Sequence, residues 1–161
     1  MNAISQPELT VEIINYEKQY ASDFARLNYW WLEQYFEVEK HDREMLDDPE
    51  KWIIEPGGQI FFAKYDGQIV GTAALIVEDA ETFELAKMGV LPKYQGAKIG
   101  KRLIQHTIEA ARAAGMKQLV LESNTKLTPA LNLYINSGFK AAPLSECSPY
   151  ARCNIRMSLS L

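Results

Sequence analysis

The spacing of apolar residues changes period several times along the chain. Residues 10–15 (T-V-E-I-I-N) alternate enough to predict a first strand. Residues 16–36 carry apolar side chains at Tyr20, Phe24, Leu27, Trp30, Trp31 and Tyr35, the spacing of an amphipathic helix. The charged run 41–48 (H-D-R-E-M-L-D-D) predicts a short helix that Pro49 ends or turns. Pro56-Gly57-Gly58 marks a loop. Three successive antiparallel strands are then expected at 59–65, 68–78 and 82–90. Asp66-Gly67 between the first two is a strong hairpin signal, and Asp79-Ala80 makes the next turn. From 98 to 114, Ile99, Leu103, Ile104, Thr107, Ile108 and Ala111 form one apolar stripe at helical spacing, with Gly115 as terminator. Residues 116–121 read as a buried strand. A helix at 128–137 takes Thr128 as N-cap and Pro129 at its first position, and Gly138 stops it. Short strands are expected from 139 to 141 and from 151 to 159. Residues 1–9 are polar and expected to be poorly ordered.

Length and composition narrow this picture. The 161 residues contain no repeat, low-complexity segment or domain boundary, so one domain spanning 1–161 is expected. A chain of this size buries about two-thirds of its unfolded surface. Apolar content of 47% and charged content of 24% suit a soluble globular protein. A net charge of −4 argues against nucleic acid as a partner and is compatible with a cationic substrate such as an amine. No apolar run is long enough for a membrane span, and the N-terminus lacks the basic and apolar regions of a secretory signal. Cys147 and Cys153 are therefore expected as free thiols in a reducing cytoplasm. With only two histidines, His41 and His106, they form no recognisable metal site.

The most informative stretch is 90–101, V-L-P-K-Y-Q-G-A-K-I-G-K, where a strand hands over to a helix expected to begin near Ala97 or Lys98. A helix start offers backbone N–H groups without intrahelical partners and a partial positive charge. Gly96 and Gly100 lack Cβ atoms, and Lys93, Lys98, Lys101 and Arg102 add positive charge. The stretch reads either as a pyrophosphate cradle or as a Gly-containing connection with solvated basic residues. It is neither a Walker loop nor a dinucleotide G-x-G-x-x-G: Arg102 follows Gly100-Lys101, and Gly96 and Gly100 are separated by A-K-I.

This segment resembles the acetyl-CoA pyrophosphate loop of the GNAT superfamily of N-acetyltransferases, Gln/Arg-x-x-Gly-x-Gly/Ala. Gln95 matches the first position and Gly100 the last, while Lys98 stands where the central Gly usually lies. A second block, Asn124, then Ala130-Leu131-Asn132-Leu133-Tyr134, then Gly138-Phe139, resembles the family's N…A-x-x-x-Y…G-F. Ala130 and Tyr134 are i and i+4 and so share one helix face. The predicted element order is also the family's. The resemblance implies an α/β (α+β) fold: a mixed, mostly antiparallel sheet of about seven strands, splayed at its centre and flanked by about four helices.

The implied reaction moves an acetyl group from acetyl-CoA to the primary amine of a small molecule by direct attack in a ternary complex. A protein amine as acceptor, or a non-catalytic acyl-CoA-binding module suggested by Lys98, are the alternatives. Implied cofactor contacts are Met88, Gly89 and Val90 along the pantetheine arm. Gln95, Gly96, Ala97, Lys98, Ile99, Gly100 and Lys101 would hold the pyrophosphate, with Asn124, Ala130, Asn132 and Tyr134 beyond it. Gly89 fits a bulge position. Tyr134 would protonate the departing thiolate. Glu84 is the candidate base, ahead of Glu78, Asp79, Glu81, Glu122 or a water chain; burial would raise its pKa. The acceptor pocket would draw on Trp30, Trp31, Tyr150 and Arg152. Homodimerisation is common in the family.

Overall fold

The computed structural model describes residues 11–144 and 150–161, and among these the predicted order of elements is reproduced. Strand β1 (Val11–Asn15) leads through a 3-10 turn into α1 (Ala21–Tyr35) and α2 (Lys40–Asp47). Pro49 opens a π-helical turn at Glu50–Ile54, and β2 (Gln59–Tyr65), β3 (Gln68–Asp79) and β4 (Thr82–Val90) follow. Then come α3 (Ile99–Ala113), β5 (Gln118–Ser123), α4 (Thr128–Asn136), β6 (Lys140–Ala142) and β7 (Ile155–Ser160). The β2–β3 turn is a left-handed pair, Asp66 at φ 48° and Gly67 at φ 75°, as the Asp-Gly signal requires. Residues 1–10, including the expected disordered start, lie outside the described residues.

Several boundaries differ from expectation by a few residues, and four of them have a clear local reason. Helix α3 starts at Ile99 because residues 92–97 form a 3-10 turn and Lys98 adopts a left-handed conformation. Leu127 occupies the N-cap of α4, so Thr128 is inside the helix and makes no side-chain cap. Strand β5 is shifted to Gln118–Ser123, because residues 116–117 leave the turn after Gly115 by bonding backward, Met116 N–H to the Ala111 carbonyl and Lys117 N–H to that of Glu81. Strand β7 begins only at Ile155, since the backbone before it is spent on other partners: the Asn154 N–H bonds the Ser123 carbonyl at 2.9 Å.

The seven strands form one sheet in the order β1-β2-β3-β4-β5-β7-β6. Every pairing is antiparallel except β4 with β5. Alternation along β2 divides the interior in two: Phe61 and Ala63 face α3, and Ile60 and Phe62 face α1 and α2. On the first face Ile99, Leu103 and Ile104 of α3 are fully buried with Leu75, Leu119 and Leu121. On the second, Phe24, Leu27 and Leu32 of α1 are buried with Leu46, Ile53 and Phe62. Each such side chain stabilises the fold by roughly 1.5–3 kcal/mol through removal from water. The sheet is thus held from both sides, which leaves its centre free to open.

Candidate active site

The sheet opens between β4 and β5. Their pairing covers only Thr82–Glu84 against Gln118–Val120, although β4 runs on to Val90 and β5 to Ser123. Beyond that point the β5-facing backbone groups of β4 have no strand to pair with. A cavity of about 880 Å³ occupies the slot and reaches both faces of the sheet. That is within the usual range for small-molecule sites, about 300–1,000 Å³.

The α3 end of the slot is built from backbone. The first helical hydrogen bond runs from the Arg102 N–H to the Lys98 carbonyl at 3.1 Å. The amides of Ile99, Gly100 and Lys101 therefore precede the helical ladder, at the positive end of the helix. Lys98 sits at φ 60° and ψ 21°, the conformation a glycine would take freely, at a cost of about 1 kcal/mol for a residue with a Cβ. At Gly100 an added Cβ would lie 3.1 Å from Leu133 Cδ2 and 3.4 Å from Met88 Cε, so a side chain here would have to push these two side-chain ends aside by a few tenths of an ångström. The Gln95 amide donates to the Val90 carbonyl at 3.1 Å and ties the loop to the strand end. Lys98 and Lys101 line the slot. Arg102 instead donates to the Val11 carbonyl, and Lys93 lies over the Tyr94 ring. Helix-start amides with two lysines suit a diphosphate.

Among the residues whose side chains are described, two expected contacts are not in the lining. The Ile99 side chain is fully buried in the core, leaving its amide alone to serve a ligand. Asn132 is exposed and points away from the slot lining, because Ala130, Leu133 and Tyr134 occupy the inward face of α4. Gly96 and Ala97 belong to the 3-10 turn Pro92–Ala97. Asn124 lines the slot with both side-chain groups engaged: Nδ2 donates to the Arg152 carbonyl at 2.8 Å, and Oδ1 accepts from the Lys126 N–H at 2.9 Å.

The bulge falls at Lys87 rather than at Gly89. Gly89 pairs with Thr72 and Ala86 with Ala74, so Lys87 and Met88 together oppose Ala73. Lys87 has φ 51°. The extra residue turns Lys87 onto the α1 face, where Glu84 already points, and leaves Met88 and Val90 in the core beside α3. Gly89 has a steric reason to lack a side chain: a Cβ there would lie 2.9 Å from Trp31 Cδ1.

Glu84 and Tyr134 face the slot from opposite sides of the sheet. Burial, reinforced by Glu122 and Glu78, pushes the Glu84 carboxyl up to about 7, against the opposing pull of Lys87 and Arg156. Arg156 bridges those two neighbours, donating to Glu78 at 2.7 Å and to Glu122 at 3.2 Å. Tyr134 stands edge-on to Phe139, and burial pushes its phenol up to about 12, so it carries its proton at neutral pH. Its hydroxyl has no hydrogen-bond partner among the described residues. Of the alternative carboxylates, Glu122 also lines the slot, whereas Asp79 accepts from the Glu81 N–H in a turn and Glu81 pairs with Lys117.

Beneath the α1 side lies a polar network that residue patterns did not reveal. Asp42 is fully buried and accepts four hydrogen bonds. They come from Lys87 Nζ at 2.6 Å, Arg152 at 2.7 and 2.8 Å, and the Glu39 N–H at 2.9 Å. The last closes a capping box that starts α2. Burial alone would raise the Asp42 pKa, but Arg152 and Lys87 hold it at about 2. Lys87 also donates to the Tyr150 hydroxyl at 2.8 Å, and Arg152 to Glu39 at 3.2 Å. The Arg152 guanidinium stacks 4.2 Å from the Tyr150 ring. Trp30, Trp31, Tyr150 and Arg152 all line the slot as expected of a pocket wall. The capping-box spacing of Glu39 and Asp42 was the only sequence signal for this network.

Of the remaining candidates, Cys153 lines the slot and His41 packs against the Tyr150 ring of its wall at 5.6 Å, whereas His106 is not among the lining residues. His41 packs edge-on to Trp52, and His106 edge-on to Phe61. Cys153 is a free thiol pushed up to about 11 by burial; Cys147 lies outside the described residues. Among the described residues no cluster of His, Cys, Asp and Glu could hold a metal, and no helix is long and apolar enough to cross a membrane.

Comparison with known proteins agrees with the geometry. Residues 24–139 match the model of the Acetyltransferase (GNAT) family. An uncharacterized N-acetyltransferase of Escherichia coli, YjgM, is 31% identical over 116 residues, 70% of each chain. An IAA acetyltransferase of Azospirillum brasilense is 31% identical over 88 residues, 54% of this chain and 58% of that one. The crystal structure of a GNAT-family acetyltransferase from Staphylococcus aureus superposes with a TM-score of 0.84 at 24% identity, covering 94% of this chain and 99% of that one. The chain belongs to the GNAT family and is an acetyl-CoA-dependent N-acetyltransferase.

Proposed function

We propose that the protein transfers an acetyl group to the primary amine of a small molecule, by direct attack within a ternary complex. The observation that carries this reading is the two-sided slot, with Glu84 on one face of the sheet and Tyr134 on the other. Acetyl-CoA, when bound, supplies an acetyl group activated as a thioester. The amides of Ile99, Gly100 and Lys101, with the ammonium groups of Lys98 and Lys101, would hold its diphosphate. The unpaired edge of β4 at Met88, Gly89 and Val90 would run beside the pantetheine arm, with Ala130 leaving room opposite.

The remaining tasks fall to this chain's own groups. An alkylammonium is not a nucleophile, so the acceptor must first lose a proton. Glu84, poised near neutrality, accepts it on the α1 face, close to the working pH where a base is most effective. Backbone N–H groups at the β4 edge present dipoles where negative charge gathers on the carbonyl oxygen. Tyr134 holds its proton on the opposite face, where the sulfur departs. Base and acid thus serve two faces of one gap and do not compete for the same proton.

The test is a panel of small primary amines monitored by release of free CoA thiol, alongside calorimetric titration with acetyl-CoA. Micromolar binding with amine-dependent thiol release is expected. Binding without release for every amine would overturn the transfer reading and favour a module that only binds acyl-CoA.

A further inference from the structure

The acceptor side of the slot contains more charged groups than a simple amine needs, and most of them are already matched. Asp42 pairs with both Lys87 and Arg152, and Glu39 also pairs with Arg152, so two carboxylates meet two cations. Glu78 and Glu122 are both engaged by Arg156. Apart from Lys98 and Lys101 at the diphosphate end, what remains on the lining is one carboxylate without an ion-pair partner, Glu84, and one ammonium, Lys126, which has no carboxylate partner among the described residues. Lys126 is planted there: its N–H is held by Asn124 at 2.9 Å, and its Nζ lies 4.5 Å over the Phe36 ring. Around it stands an apolar wall. Trp30 and Tyr35 are among the few large apolar side chains left exposed, at 36% and 56%, although the other face of α1 is buried in the core. Trp31 and Phe36 continue that wall.

We infer that the acceptor is an amine that also carries a carboxylate, joined by an apolar and preferably aromatic frame. Its ammonium meets Glu84, its frame lies on Trp30, Tyr35 and Phe36, and its carboxylate meets Lys126. A polyamine is disfavoured by the same inventory. It would find one carboxylate that is not already matched, and that one is half-neutral at pH 7, while Lys126 would repel its second charge. A simple alkylamine would leave Lys126 unused. This inference rests on the acetyl-transfer reading for its placement of Glu84.

Matched pairs test it: phenylalanine against phenethylamine, tryptophan against tryptamine, and 4-(aminomethyl)benzoate against benzylamine, with spermidine as the polycation. In at least one pair the member with the carboxylate should show the higher kcat/KM, by about five- to tenfold for one partly exposed charge pair. Lys126→Ala should pull that ratio towards one. Thiol release that favours spermidine or the members without a carboxylate, or a ratio untouched by Lys126→Ala, overturns the inference and leaves acetyl transfer standing. If no amine releases thiol although acetyl-CoA binds, the transfer reading fails. Quenching of Trp30 and Trp31 fluorescence by the carboxylate-bearing amines in the CoA-loaded protein then decides the inference: quenching weakened about fivefold or more by Lys126→Ala supports it, and no difference between amines with and without a carboxylate overturns it.

Discussion

The two faces of the sheet meet at one slot but are built on different physical terms. On the α3–α4 side the wall is apolar, and its polar work is done by backbone amides at a helix start, with lysines at the rim. On the α1–α2 side, the wall rests on a buried carboxylate with four donors and two cations. Backbone amides cannot be mutated away, and a rim lysine costs little to lose. A buried ion network is the reverse: its parts depend on each other, because any charge left alone must be held out of water. The first side should therefore tolerate substitution in its stability and show the effect in ligand binding. The second should fail in folding before it fails in recognition.

The largest effect expected from this contrast is at Asp42. Asp42→Asn keeps the volume but leaves Lys87 without its paired carboxylate and Arg152 with Glu39 alone, and should lower stability by about 3–5 kcal/mol in urea denaturation. Lys101→Ala, on the other side, should change stability by less than about 0.5 kcal/mol while weakening acetyl-CoA binding in calorimetry. Similar losses of stability for both variants would dissolve the contrast.

Glu84→Gln comes next, and it separates activity from stability on the same face. Loss of the base should reduce kcat by about 10²–10³ at pH 7. In the parent protein kcat/KM should rise with pH through about 7, where the Glu84 carboxyl ionises, and level off above it. Its folded-state pKa lies above the ordinary 4.5, so the fold favours the neutral form. The stability tied to it is complete below 4.5 and is lost as pH rises through about 7. Glu84→Gln should accordingly be less active than the parent yet more stable at pH 8, by as much as about 3 kcal/mol. A kcat/KM profile that is flat between pH 5.5 and pH 8.5 would remove Glu84 as the base.

Across the slot, Tyr134→Phe should lower kcat by about 10–100-fold, with little change in acetyl-CoA affinity, since only the hydroxyl is lost. A change confined to affinity would make Tyr134 a wall residue and nothing more.

The same contrast explains what could be read from residue order. The cofactor side is written in contiguous stretches: Gln95 to Lys101 in one loop, Ala130 and Tyr134 on one helix turn. Hairpin and helix signals that lead into them are equally local, which is why the strands at 59–65 and 82–90 were placed to the residue. The acceptor side is assembled from distant pieces. Asp42 lies 45 residues from Lys87 and 110 from Arg152. In the run H-D-R-E-M-L-D-D it is indistinguishable from its solvated neighbours. The bulge was misplaced by two residues for a related reason. Gly89 has the composition of a bulge, but the position of the extra residue depends on the register with β3, and the chain met that demand at Lys87.

The smallest effect concerns the one residue where the loop departs from the family pattern. Lys98 holds a left-handed conformation with a Cβ attached, and its ammonium lines the slot. Lys98→Gly should relieve backbone strain by about 1 kcal/mol, offset in part by the greater entropy of glycine in the unfolded chain, for a net gain of a few tenths of a kcal/mol. It should also remove one charge from the diphosphate end, weakening acetyl-CoA binding about two- to fivefold at low salt, less at high salt. The two changes have opposite signs, so thermal unfolding without ligand and calorimetry with it must be measured on the same variant. Lower stability would mean that the Lys98 side chain holds the loop by contacts stronger than the strain it imposes. Tighter binding would mean that the side chain obstructs the diphosphate, and that a glycine here serves close approach rather than backbone conformation.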